Sequence, residues 1–292
     1  MKLLVWDTSA KVGAIAALEW DEGTKSGWDG VRLVSEWMLN VDSQHSERLL
    51  WGVHQVLQAS RWKLEDVDLF GVGVGPGSFT GLRIGVTTAR TLAHTLNKPL
   101  VAVSSLAALA RPVSLWISKT QATLAKNKKT VVIAATDAAK GEIFGLWGNA
   151  KSIVDCVIKA EGDEAGLWKR GVEEEVLPPD ELIRMIKRKM AEGGSSGTCW
   201  SVVGEAATRY PDLWKGLPAA RRIEVPSSFA EHVQGRYLGQ LAWEAYQAGV
   251  VRKALNVHPR YMRVADAELK LKQGLLPAGP TRGTNSSAGS ND

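Results

Sequence analysis

The sequence predicts a duplicated α/β fold, and three observations predict it. Each half opens on strand-like apolar runs and then alternates helix with strand. The hydrophobic period changes from two to about 3.6 once the first runs have passed. The leading run of each half stops at an aspartate, Asp7 in the first and Asp137 in the second.

The elements follow in order. Lys2 to Trp6 is an apolar run halted by Asp7-Thr8-Ser9, Gly13 to Leu18 a second, and Val31 to Met38 a third. Hairpins of this kind predict an antiparallel edge, with a Gly/Asp/Lys-rich turn over residues 21–30. Leu49, Leu50, Val53, Val56 and Leu57 share one stripe of an amphipathic helix, with Ser46 as its N-cap and Glu47 at its positive start. Leu69 to Val74 reads as a buried strand ending at Gly75-Pro76-Gly77-Ser78. The spacing of Leu82, Val86, Ala89, Leu92, Ala93 and Leu96 then predicts a helix from Thr80 to Leu96, closed by Asn97 and Pro99. Leu100 to Val103 is a strand, Ser104 or Ser105 caps a short helix, and Lys119 to Lys129 reads as a basic connecting loop.

In the second half Thr130 to Thr136 is a strand, followed by the apolar runs Ile143 to Trp147 and Ser152 to Ile158. Pro178-Pro179-Asp180 starts a helix with Leu182, Ile183, Ile186 and Met190 on one side, and Arg184, Lys187, Arg188 and Lys189 on its solvated face. Trp200 to Val203 is a strand ending at Gly204, and residues 229–248 form a long helix closed by Gly249. The expected division is a first half over 1–110, a second over 111–265 and an extension over 266–292, disordered from about 274.

Composition narrows the class. The chain has 292 residues, 36 basic and 31 acidic, for a net charge of +5. Such a balance fits a globular protein with mild affinity for acidic partners. Two cysteines, Cys156 and Cys199, are too few for a disulfide framework or a cysteine-rich zinc site, and read as reduced packing residues. Apolar runs fall short of the ~18 residues a membrane helix needs. Asp7 comes too early for a signal peptide, so the expected location is cytoplasmic.

The segment Gly73-Val74-Gly75-Pro76-Gly77-Ser78-Phe79-Thr80-Gly81-Leu82-Arg83-Ile84-Gly85 runs from strand into helix. It admits two readings: a cradle in which backbone amides meet an anion, or a tight turn where glycine relieves sterics. It is neither a Walker loop nor the dinucleotide-binding spacing. Asp7-Thr8-Ser9 and Asp137 likewise sit where actin-like and sugar-kinase folds place a phosphate- or metal-facing acid, or else simply cap strand ends. No two of the five histidines stand three to five residues apart, so no helix offers a paired-imidazole metal site. His45, Ser46 and Glu47 are consecutive and cannot converge as a triad.

Two helix faces are left over. Trp51 points about 160° from its helix's apolar stripe. Opposite the core, the second helix carries Ile84, Thr87, Thr88, Thr91 and Thr95. Small residues around one isoleucine let another helix approach closely.

Asp7-Thr8-Ser9, His45-Ser46-Glu47-Arg48-Leu49-Leu50, the long glycine segment, Asp137 through Phe144 and Pro259-Arg260-Tyr261-Met262-Arg263 together resemble the bacterial TsaB (YeaZ) family, over roughly residues 1–265. The resemblance implies an actin-like, ribonuclease-H-type duplicated fold. It implies a non-catalytic subunit that pairs with its paralogue TsaD, joined by the ATPase TsaE, to place threonylcarbamoyl on the adenosine beside the tRNA anticodon. It further implies a partner surface of Glu47, Leu50, Trp51, His54 and Gln58 with Ile84, Thr87, Thr88, Thr91 and Thr95. No catalytic or metal-binding residue and no cofactor of its own is expected, and ATP enters only at the level of the complex. A homodimer is possible when the chain is alone, tRNA is met through the complex, and no membrane is involved. Asp7, Thr8, Ser9, Gly75, Gly77, Ser78 and Asp137 are the candidate nucleotide-facing set. This sequence departs from the family pattern at Ala139, usually Arg or Lys, at Trp51 and Trp6, and in longer segments over 20–31 and 112–130. The rival readings are an independent actin-like phosphotransferase using Asp7 and Asp137, and a metallopeptidase.

Overall fold

The computed structural model describes residues 1–20, 30–40, 45–124, 130–154, 172–192, 198–215, 218–225 and 231–263. Two sheets carry the fold. The first joins β1 (Lys2–Asp7), β2 (Val12–Trp20), β3 (Val31–Asn40), β4 (Leu69–Gly73) and β5 (Leu100–Val103) in the order β3-β2-β1-β4-β5. The second joins β6 (Thr130–Asp137), β7 (Ile143–Asn149), β8 (Val172–Leu177) and β9 (Cys199–Val203) in the order β8-β7-β6-β9. In both, the leading strand pairs antiparallel with the second and parallel with the fourth, Val5 facing Gly71 and Ile133 facing Val202. That repeated topology makes this an actin-like α/β fold.

Alternation along the strands builds the layers. Leu4, Trp6, Phe70 and Val72 face outward onto α1 (His45–Ser60) and α2 (Phe79–Thr95), meeting Leu49, Val53, Val86 and Ala89. Their neighbours Leu3, Val5, Leu18 and Leu69 face the centre, where α3 (Ser105–Leu124) and α8 (Gly235–Gln247) are packed. Val132, Ala134, Phe144 and Leu146 close that central core from the second sheet, and Ile133, Ala135 and Trp147 meet α5 (Pro179–Glu192) through Leu182 and Ile186 on its far side. Three short helices, α4 (Ala150–Val154), α6 (Glu205–Arg209) and α7 (Asp212–Lys215), fill the connections. Arg111 is buried on α3 and bonds Glu244 of α8 and the carbonyls ending α4, which joins three helices through one paired charge.

Several elements differ from expectation. The helix after β5 is long, not short. It reaches Leu124, into the stretch read as a basic loop, and its first three turns and more, through Ile117, are buried against the second sheet and α8 despite Pro112. Ser104 is its cap, accepting from the Ala107 amide at 3.2 Å. Ser152 lies in α4 rather than a strand, and residues 155–158 of that expected run fall outside the described residues. β8 was unexpected: Val172-Glu173-Glu174-Glu175-Val176-Leu177 carries three acids because it is a sheet edge. The last helix starts at Gly235, later than expected, where Glu36 Oε1 accepts from the Gly235 and Arg236 amides. Helix α1 begins at His45, one residue before the expected cap Ser46, whose side chain lies outside what the structure describes. Cys156 and the expected tail from 274 lie outside the described residues. Among those residues no helix is long and apolar enough to cross a membrane.

Candidate functional site

Two sequence motifs prove to be halves of one interlock. β1 ends at Asp7, and Asp7 Oδ1 accepts from the Ser9 amide at 2.9 Å and the Ser9 hydroxyl at 2.6 Å. Its Oδ2 accepts from Ser105 Oγ at the start of α3, at 2.5 Å. Gly75 in turn donates its amide to Ser105 Oγ at 3.1 Å, so one hydroxyl ties β1, the β4–α2 turn and α3 together. Thr8 Oγ1 donates to the Gly81 carbonyl at 2.7 Å, Trp6 Nε1 to the Gly85 carbonyl at 3.0 Å, and the Ser78 amide to the Ser9 carbonyl at 2.6 Å. The glycines are spaces for this contact. A Cβ on Gly73 would stand 1.8 Å from Asp7 Oδ2, and one on Gly81 would stand 2.0 Å from the Thr8 carbonyl oxygen. Ser78 caps α2, its Oγ accepting from the Gly81 amide at 3.2 Å.

In the first half the candidate nucleotide-facing residues engage one another. Asp7, Thr8 and Ser9 are buried, Asp7 only 1% exposed, and their polar atoms are bonded within the chain. Gly75 donates to Ser105, Gly77 presses on Ser9 and Ser78 caps a helix, so the turn is engaged in packing within the chain. Burial pushes the Asp7 carboxyl above its ordinary value of 3.8, against the hydrogen bonds from Ser105 and Ser9.

The corresponding strand end of the second half is different. Asp137 is 17% exposed and pairs with Arg209 at 2.5 Å, while Tyr210 Oη donates to it at 3.3 Å and the Ala139 amide at 3.3 Å. Burial and the Asp137 charge raise the Tyr210 phenol above its usual range. Between the two strand ends lies a narrow cleft of about 280 Å³, its open mouth included, lined by Ser9, Ser105, Leu109, Thr136, Glu205 and Glu231 among others. His232 lines it beside the two glutamates.

The two leftover helix faces adjoin on the outer side of the first sheet. Leu50, Trp51, His54 and Gln58 of α1 are exposed, Trp51 by 51%, as are Thr87, Thr91 and Thr95 of α2. Two details differ from the wheel. Trp51 is supported within the chain by Trp37 of β3, ring centroids 4.6 Å apart. Ile84, like Thr88, is half-buried, and packs partly on the outer core rather than standing opposite it. The side chain of Glu47 lies outside what the structure describes.

Sequence reasoning missed one feature. The rings of Phe79 and Tyr261 stack at 4.6 Å with 28° between their planes, and the Arg83 guanidinium lies 4.5 Å from the Phe79 centroid. Phe79 and Arg83 stand four apart on α2, a spacing that signals contact, but nothing local points to Tyr261.

A duplicated actin-like domain whose strand-end acids are taken up by its own side chains is thus the class defined here. The family model described as TsaD: tRNA N6-adenosine threonylcarbamoyltransferase matches residues 40–267. The Escherichia coli (strain K12) tRNA threonylcarbamoyladenosine biosynthesis protein TsaB is 30% identical over 215 residues, 74% of this chain and 76% of that protein. The Haemophilus influenzae TsaB is 26% identical over 90% of this chain and 94% of its own length. A Pseudomonas aeruginosa crystal structure, described as an uncharacterized protein with similarity to peptidase YEAZ, matches at TM-score 0.60 and 25% identity, covering 90% of this chain and 99% of that one. A tRNA N6-adenosine threonylcarbamoyltransferase from Brachyspira hyodysenteriae matches at 40% over 65 residues, only 19% of its length. The chain belongs to the TsaB family.

Proposed function

We propose that this chain acts in tRNA threonylcarbamoyladenosine biosynthesis as a scaffold or activator subunit, without chemistry of its own. It pairs with a TsaD paralogue that transfers the threonylcarbamoyl group to the adenosine beside the anticodon, with the ATPase TsaE joining the complex. The observation that carries this reading is the state of Asp7. A carboxylate that would serve phosphate chemistry needs a free oxygen facing solvent, and both of these oxygens accept from Ser9 and Ser105. The partner surface is the joint outer face of α1 and α2, where Trp51 already rests on Trp37 and is pre-ordered for contact. Small threonines beside it let a facing helix pair approach closely.

Reconstitution tests the reading. The purified chain should neither turn over ATP at an enzyme-like rate nor modify tRNA, and adding TsaD, TsaE and threonylcarbamoyl-adenylate should yield modified tRNA. Trp51→Glu with Ile84→Glu should abolish pairing with TsaD, with circular dichroism confirming the fold. Turnover by the chain alone, surviving repurification and lost in Asp7→Ala, would overturn the scaffold role. Unchanged TsaD affinity in the folded double variant would place the interface elsewhere.

A further inference from the structure

The stacked pair at the start of α2 is exposed in a way its surroundings do not explain. Phe79 is 38% and Tyr261 43% exposed, so neither ring is spent on the core. Arg83 is exposed, and its only interaction among the described residues is with the Phe79 ring. Lys11 is exposed without an ion pair among those residues, and stands two residues beyond Ser9, whose carbonyl accepts from the Ser78 amide. The result is a flat aromatic step that carries Arg83, with Lys11 nearby in sequence to the Ser9 carbonyl that holds Ser78. Ser78 and Thr80, both exposed, flank it.

Protein hot spots combine aromatic rings with arginine too, but lysine is depleted from them. Here the rim is cationic and hydroxylic. That combination fits a ligand with a planar π-face and a negatively charged backbone, which is single-stranded nucleic acid. Arg83 suits both parts, since a guanidinium lies flat on rings and also bonds phosphate.

We propose that Phe79, Tyr261 and Arg83 form a stacking shelf for an unpaired base of RNA, with Arg83 and Lys11 taking the adjoining phosphates. The inference deepens the function proposed above and rests on it for the identity of the RNA, a tRNA loop. The subunit then touches the substrate directly instead of only through its partner.

The test uses the full chain and a fluorescein-labelled anticodon stem–loop, with fluorescence anisotropy at about 50 and about 200 mM salt. A blunt duplex of equal length serves as the control. The stem–loop should bind more tightly than the duplex. Tyr261→Ala and Phe79→Ala should each weaken it by roughly 5- to 100-fold, the worth of one stacked base. Tyr261→Phe should retain affinity because it keeps the ring. Arg83→Gln should lower the salt slope by about one. Equal binding of duplex and stem–loop, or unchanged affinity in the folded Tyr261→Ala chain, would overturn the shelf. So would a Tyr261→Ala chain that loses TsaD but keeps RNA. Modification by the reconstituted complex is scored separately. Modification without loop-specific RNA binding sinks the shelf and leaves the proposed function standing, whereas loop-specific binding without modification does the reverse.

Discussion

The ends of β1 and β6 occupy equivalent places in the two halves, and each carries an aspartate that accepts from the amide two residues on. Their surroundings separate them. Asp7 is buried among neutral hydroxyl donors and lies over Gly73, while Asp137 stands near the surface opposite Arg209, itself mostly exposed. Equivalent strand ends carry an internal joint in the first half and a surface ion pair in the second. The difference shows that a strand-end acid is defined less by its own chemistry than by what the following helices bring to it. In the first half α2 and α3 arrive with small and hydroxylic residues, and the acid is closed in. In the second, the short α6 supplies Arg209, and the site stays partly open.

The sharpest way to break this comparison is at the joint. Gly81→Ala places a methyl 2.0 Å from the Thr8 carbonyl, backbone against backbone, so neither side can yield cheaply. A loss of about 3 kcal/mol or more, or failure to fold, is expected by urea denaturation. A stability within experimental error of the wild type would mean that the interlock is loose.

Asp7→Ala should cost about 2–4 kcal/mol, since it strands the Ser9 and Ser105 donors in a dry site. Asp137→Ala should cost no more than about 1 kcal/mol, because its partner Arg209 is largely solvated. Equal losses in the two variants would erase the distinction between joint and surface pair.

The pH dependence refines the same point. Burial raises the Asp7 carboxyl in the folded chain above 3.8, so the folded state holds its proton more tightly than the unfolded state. Stability linked to this group is therefore complete below about pH 4 and declines as pH rises toward the folded value. Asp7→Asn should remove that slope, and denaturation of both chains between about pH 4 and 7 reads it directly. A wild-type slope that persists in Asp7→Asn would assign it to other groups.

The smallest effect concerns the turn beyond Asp137, where Ala139 at φ 62° and Lys140 at φ 54° both adopt the left-handed region. Ala139→Gly should stabilise the chain by about 0.5–1 kcal/mol in thermal unfolding, by relieving the Cβ clash of that region. A lower melting temperature would mean that the side chain makes a contact worth more than its strain.

What was legible in the sequence is what short-range chemistry dictates. Period-two and helical spacing placed β1, β2, β4, α1, α2 and α5 within a few residues, because each must bury one face whatever it meets. The two motifs, Asp7-Thr8-Ser9 and the glycine segment, stood out for the same reason: their residue types are unusual locally. Only the tertiary structure decided what the motifs touch within the chain, since a glycine leaves room for many neighbours and its own sequence names none of them. It likewise decided that α3 continues through Pro112, that an acidic run forms the edge strand β8, and that Glu36 sets the start of α8. In each case a distant segment outweighs local preference by burying a surface or meeting an orphan amide. Tyr261 beside Phe79 is the extreme instance: two rings far apart in the chain, related by no period, that only folding could bring face to face.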